Sequence, residues 1–242
     1  MMKMLLWRGM LAGLVGALVA AAFALLLAEP RIDAAIALES RHAMTGMAEP
    51  ELVGRAVQKT WGLFTAMGLY GTAMGGVFAI VFAGLHGRVG RAGPRALALL
   101  LALAAFVVVV LVPAIKYPPT PPAVGLHETV RLRTAAYFAM LALSVAAATL
   151  GLWSFRRLAG RVAALDRLLV ALGVYVGAVA LVQTLLPVVD EVPAAFPATL
   201  LWQFRLAAVG TQAVFWLVTA DLFGRTAERL MAERQRPRQV IR

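Results

Sequence analysis

The sequence predicts an all-α membrane protein, a bundle of about six transmembrane helices with both termini on the cytoplasmic side. Three observations predict it. Hydrophobic residues make up 62% of the 242 and charged residues only 14%, against roughly 25% charged in a soluble domain. No single core of a chain this size could hide so much apolar surface. The apolar residues also fall into six long runs, and the basic residues collect in alternate connections between them.

The runs lie at about 5–28, 61–85, 96–113, 134–153, 168–189 and 204–223. Each is near the roughly 20 residues that cross about 30 Å of hydrocarbon at 1.5 Å per residue. None has a clean polar face, so each is apolar all round, as a membrane span is. Lipid offers no partner for a bare backbone group, so runs of this length must be helical. The first follows Lys3 and Arg8 as a secretion signal would. It is longer than the 7–15-residue apolar core of a signal and five more spans follow, so it is read as a retained helix. The first, third and fifth runs end at Pro30, Pro113 and Pro187, where proline stops or turns a helix.

Charge sets the orientation. Lys3, Arg8, Arg88, Arg91, Arg95, Arg156, Arg157, Arg161, Arg167 and six arginines of the 225–242 tail fall on one side. Eight basic residues fall on the other, with eight of the twelve carboxylates. The first side is cytoplasmic by the positive-inside rule. The formal net charge of +11 is therefore a membrane signal, and the basic tail suits anionic headgroups. The tail has no interleaved aromatics to stack bases, which sets nucleic-acid binding aside. The partner implied by composition is the lipid bilayer.

Three small-residue motifs, Gly9-x-x-x-Gly13, Gly71-x-x-x-Gly75 and Gly173-x-x-x-Gly177, would let helices approach closely. They say nothing about oligomeric state.

Candidate chemistry concentrates outside. The first outer loop carries Glu39 and His42, which would share a face on a helix. The third carries His127 and Glu128, and the fifth Asp190 and Glu191. Imidazole and carboxylate suit cobalt, nickel and zinc, so these six are candidate metal ligands of an outer vestibule. The competing view is of solvated loop residues, some paired with Arg31, Arg131 or Arg205, since their spacing matches no metal motif. Within the spans no Asp, Lys or Arg sits at mid-depth, where it would mark a pathway. The neutral candidates for lining a path are Met67, Tyr70, Met74, Tyr175, Gln183 and Gln212, although methionine at such spacing is often packing. His86 sits at the membrane interface.

Cysteine is absent, which removes thiolate sites and disulfides. No serine lies in a nucleophile elbow, and there is no zinc-protease or phosphate-loop signature, so an enzyme is not expected. No permanently bound cofactor is expected either.

Three stretches stand out: Lys116-Tyr-Pro-Pro-Thr-Pro-Pro-Ala-Val-Gly125 with Glu128-Thr129 and Arg133 to Tyr137; Leu186-Pro-Val-Val-Asp-Glu-Val-Pro193 with Phe196-Pro197 and Leu200 to Arg205; and Gly210-Thr-Gln212 through Trp216 with the closing Phe223-Gly224. Together they resemble the CbtA family of cobalt-transporter subunits. The resemblance implies a membrane component of a cobalt uptake system in the bacterial plasma membrane, linked to cobalamin synthesis. It further implies Co(2+) as the transported ion and a small single-helix partner subunit bearing histidines. It supplies no ligand set. A non-transporting membrane scaffold is the alternative, and Asp190, Glu191 and Arg205 would then be a salt-bridge cluster closing the outer end of the bundle.

Overall fold

The structure, a computed structural model, describes residues 2–42, 53–88, 92–122, 124–125 and 127–235, with the backbone alone at 41, 42, 127, 234 and 235. The described residues form helices and connections, without strands. They are α1 Met2–Leu27, α2 Glu29–His42, α3 Arg55–Leu85, α4 Pro94–Lys116, α5 Val130–Arg157, α6 Ala164–Leu185 and α7 Ala198–Gln235. All but α2 are long and apolar enough to span a membrane, so the six expected spans are present.

Their ends follow local chemistry. The backbone turns at Ala28, and Pro30 both stops α1 and sits in the first turn of α2, where a missing N–H costs nothing. α2 thus forms where a loop was expected. α6 ends at Leu185, short of the expected 189, because Leu186 precedes a proline and is extended. α7 runs on to Gln235, which makes the first part of the expected 225–242 tail helical. The rest of that tail lies outside the described residues.

Pro113 does not end α4 but sits one turn from its end, after a wide π-helical turn at Phe106–Leu111. A proline inside a helix clashes with the preceding turn and removes a bond; widening the turn relieves the clash and leaves a carbonyl to be satisfied from elsewhere.

The chain forms two compact units, Met1–Ala105 with Leu206–Arg242, and Phe106–Arg205. In the first unit α1 lies antiparallel to both α3 and α7. Gly9 and Gly13 face Gly71 and Gly75: a Cβ on Gly13 would fall 2.7 Å from the Cα of Gly75, and one on Gly75 would fall 2.8 Å from the Cα of Gly13. Two of the three small-residue motifs therefore pack against each other, and only glycine allows it. Along α7, Gly210 meets Phe23 and Arg8 donates to the carbonyl of Thr226, which puts the start of α1 beside the end of α7. Phe78, Phe82, Phe215, Trp216 and Phe223 form a buried aromatic cluster, with Phe223 edge-on to Phe82 at 5.0 Å and to Phe78 at 5.4 Å. Burying such rings with edge-to-face contacts is a large packing contribution. Arg95 clamps Asp221 through Nη2 at 2.6 Å and Nε at 3.1 Å, and Arg225 reaches the same carboxylate at 2.8 Å. His86 closes α3, stacked on Phe82.

In the second unit α5 and α6 form an antiparallel hairpin around the turn containing Gly160. Gly151 allows the approach, since a Cβ there would come within 3.0 Å of the Ala171 carbonyl. Gly173 and Gly177 differ from the other two motifs: a Cβ at either meets nothing within 4 Å among the described residues. Val112, Tyr117, Ala136 and Met140 make the core, flanked by Tyr175, Val179 and Val182.

Candidate functional site

A polar seam runs through the apolar core of the second unit, and it begins with Pro113. In the wide register of the π turn the Val108 carbonyl would pair with the N–H of residue 113, which proline lacks. Ser144 of α5 supplies the missing donor: its hydroxyl, 1% exposed, donates to Val108 O at 2.7 Å. Tyr175 of α6 brings its hydroxyl within 3.3 Å of the same serine oxygen. Toward the end of α4, the Gln183 amide approaches Val112 O at 3.5 Å, and the Lys116 ammonium donates to Gln183 O at 2.6 Å. Tyr117 donates to Pro187 O at 2.7 Å. Two residues expected to line a path, Tyr175 and Gln183, thus lie on one seam. Ser144 was not expected there. The signal that could have found it was a proline inside an apolar span, because the carbonyl it strands needs a donor from a neighbouring helix.

Beyond this seam, Glu191 is 6% exposed and fully engaged. Its carboxylate accepts from Arg133 and from the Thr129 hydroxyl. Gly125, at φ +147°, lies against both Arg133 and Glu191, and a side chain there would be both strained and in the way. Gly125, Thr129, Arg133 and Glu191 come from separate stretches of the family likeness and meet here in one knot of mutual contacts. Asp190 is exposed and accepts a long bond, 3.5 Å, from the Val192 N–H. Glu128 is exposed on the short turn His127–Thr129.

The first unit carries a separate ion-pair network joining α2 to α3. Arg55 holds Glu29 and, at 3.0 Å, Asp33; Lys59 holds Asp33 at 3.1 Å. The hydrogen bond from Lys59, with help from Arg55, keeps the Asp33 carboxyl below the usual carboxylate range despite partial burial. Glu39 is exposed one turn before the end of α2, and His42 is its last residue. The side chains of His42 and His127 lie outside the described residues. Among the described residues no three His, Asp or Glu side chains converge into a metal-binding group. Met67 and Met74 lie on α3, and Tyr70 between them packs its ring on Phe215 at 5.6 Å. Gln212 lies on α7 with its side-chain oxygen buried.

Over residues 2–228 the chain matches a family model described as "Probable cobalt transporter subunit (CbtA)". The chain belongs to the CbtA family. Comparison with curated proteins and with solved structures returns no match. The CbtA match covers five spans whole and the sixth as far as residue 228, and the family's description supports a cobalt-transporter subunit, which implies at least one further component.

Proposed function

We propose that this chain is the membrane-embedded subunit of a cobalt uptake transporter in a bacterial plasma membrane. Both termini are cytoplasmic. It works with a small single-helix subunit bearing histidines, and the cobalt it admits feeds cobalamin synthesis. The observation that carries the proposal is the CbtA match reaching all six apolar helices. The charge asymmetry of the loops supports the orientation. The start of α1 lying beside the end of α7 agrees with termini on a common side.

Co(2+) is cargo in this account, gathered at outer loops by Glu39, His42, His127, Glu128, Asp190 and Glu191. The geometry ranks them. Glu191 already has a guanidinium and a hydroxyl, so it organises the outer end, whereas Glu39, Glu128 and Asp190 are the accessible carboxylates that can meet a cation. Tyr175 and Gln183 in the second unit, and Met67, Tyr70, Met74 and Gln212 in the first, are the candidate path-lining residues, each within its own unit.

Cobalt accumulation in cells lacking other high-affinity uptake, with and without this chain and its small partner, tests the proposal. Nickel and zinc are run beside it. Saturable, cobalt-preferring uptake that needs the chain, and falls on joint Glu39, Glu128 and Asp190 to Ala substitution, is expected. Uptake untouched by those substitutions would end the vestibule, and no flux with both subunits in the membrane would favour a scaffold.

A further inference from the structure

We propose that one face of α7, carrying Gln212, Trp216 and Thr219, holds bound water inside the first unit. The spacing, four residues and then three, places the three side chains on one stripe of the helix. Each carries a buried polar atom without a hydrogen-bond partner among the described residues: Gln212 Oε1, Trp216 Nε1 and Thr219 Oγ1. Thr219 is 0% exposed and Trp216 4%.

Thr219 shows that this is not ordinary helix chemistry. Thr72, Thr211 and Thr226 are also buried or half-buried in helices, and each donates to a carbonyl three or four residues back, at 2.7, 2.8 and 2.9 Å. Thr219 has the same option and does not use it. Its hydroxyl is turned toward Gly16 of α1, where a Cβ would collide with it and come within 3.1 Å of Phe215 O. The missing Cβ is what gives the hydroxyl its room.

The donor set identifies the ligand class. An amide oxygen accepts, an indole N–H donates, and a hydroxyl does either. Water complements all three, whereas a bare cation would face the indole hydrogen. At 1.5 Å per residue the Cα positions step about 6 Å and 4.5 Å along the helix axis, which makes the three side chains neighbours on one stripe. A buried water typically makes about three bonds to groups otherwise unpaired, and three orphaned groups together are costly in an apolar interior. The site goes beyond the transport proposal and does not depend on it.

Hydroxyl radicals generated by brief X-ray exposure arise from bound water as well as bulk water, so they report hydration directly. Intact purified protein in micelles is exposed and oxidation read by mass spectrometry. Trp216 is expected to be oxidised at least tenfold faster than Met140, a reactive side chain that is 0% exposed in the core of the second unit. The Gln212→Leu, Thr219→Val double variant should lower oxidation of Trp216 several-fold without changing that of Met140. Oxidation of Trp216 as slow as that of Met140, or unchanged in the double variant, overturns the proposal. If the double variant fails to fold, Thr219→Val alone decides: reduced oxidation of Trp216 supports bound water, and unchanged oxidation overturns it in favour of a dry, merely unpaired hydroxyl.

Discussion

Gly13 closes one small-residue motif and Gly173 opens another of the same spacing, yet substituting alanine should move stability in opposite directions. A Cβ on Gly13 would sit 2.7 Å from Gly75 Cα and 2.9 Å from Gly75 N, where ordinary contact begins at 3.4 Å. The Gly71 carbonyl oxygen is closer still, and all three clashing atoms are backbone, so no rotamer change relieves them and α1 must move from α3 by more than the roughly 0.7 Å shortfall at Gly75 Cα. Overpacking of this kind costs about 1–3 kcal/mol. Removing a helical glycine returns roughly 0.5–1 kcal/mol. Gly13→Ala should therefore destabilise by about 1–2 kcal/mol, or roughly 5- to 30-fold in the unfolding equilibrium. Gly173→Ala and Gly177→Ala meet nothing within 4 Å and should stabilise by about 0.4–1 kcal/mol. Reversible unfolding in mixed micelles of maltoside and dodecyl sulfate measures both. A Gly13→Ala protein as stable as Gly173→Ala would refute the close α1–α3 contact.

Three other outcomes are expected. Ser144→Ala strands the Val108 carbonyl and should cost about 1–3 kcal/mol; in a Pro113→Ala background, which restores an N–H, the cost should shrink, and an equal cost in both backgrounds would contradict the π-turn account. Arg133→Leu leaves Glu191, 6% exposed, without its cation and should destabilise more than the Arg133→Leu, Glu191→Leu pair, as midpoints in the same micelles will show. Asp33 is held ionised by Lys59 and Arg55, so its folded pKa lies below its unfolded value. Its contribution is complete above about pH 4 and is lost as pH falls through the lowered pKa. With 40% of the side chain exposed the effect is under about 1 kcal/mol. The midpoint gap between parent and Asp33→Asn should be constant from pH 5 to 7 and close on acidification; a gap that widens there would reverse the sign.

The spans were legible because lipid leaves an apolar run little choice but a helix, and proline marked where the chain turns. Proline's effect depended on its neighbours, which the sequence does not show. Pro187 ended a helix, Pro30 started one, and Pro113 widened one and recruited Ser144. Glycine spacing revealed which faces could approach but not which did: Gly9, Gly13, Gly71 and Gly75 found each other, while Gly173 and Gly177 met nothing. Ion pairing was the least legible. Arg31, Arg131 and Arg205 were the cations expected to neutralise the outer carboxylates, yet Arg55 holds Glu29 and Arg133 holds Glu191. Those pairs join residues 26 and 58 positions apart, and only the packing of helices sets such distances. The family likeness was readable in the same residues that form the knot around Glu191.

Cobalt entry into vesicles tests the central claim most directly. The purified chain and its small partner are reconstituted with a cobalt-quenched dye trapped inside, under a cobalt gradient and an imposed inside-negative potential. Saturable quenching that requires the chain, and is faster for cobalt than for zinc or nickel, is the predicted result. Vesicles holding both folded subunits that admit no cobalt above the protein-free background would contradict it.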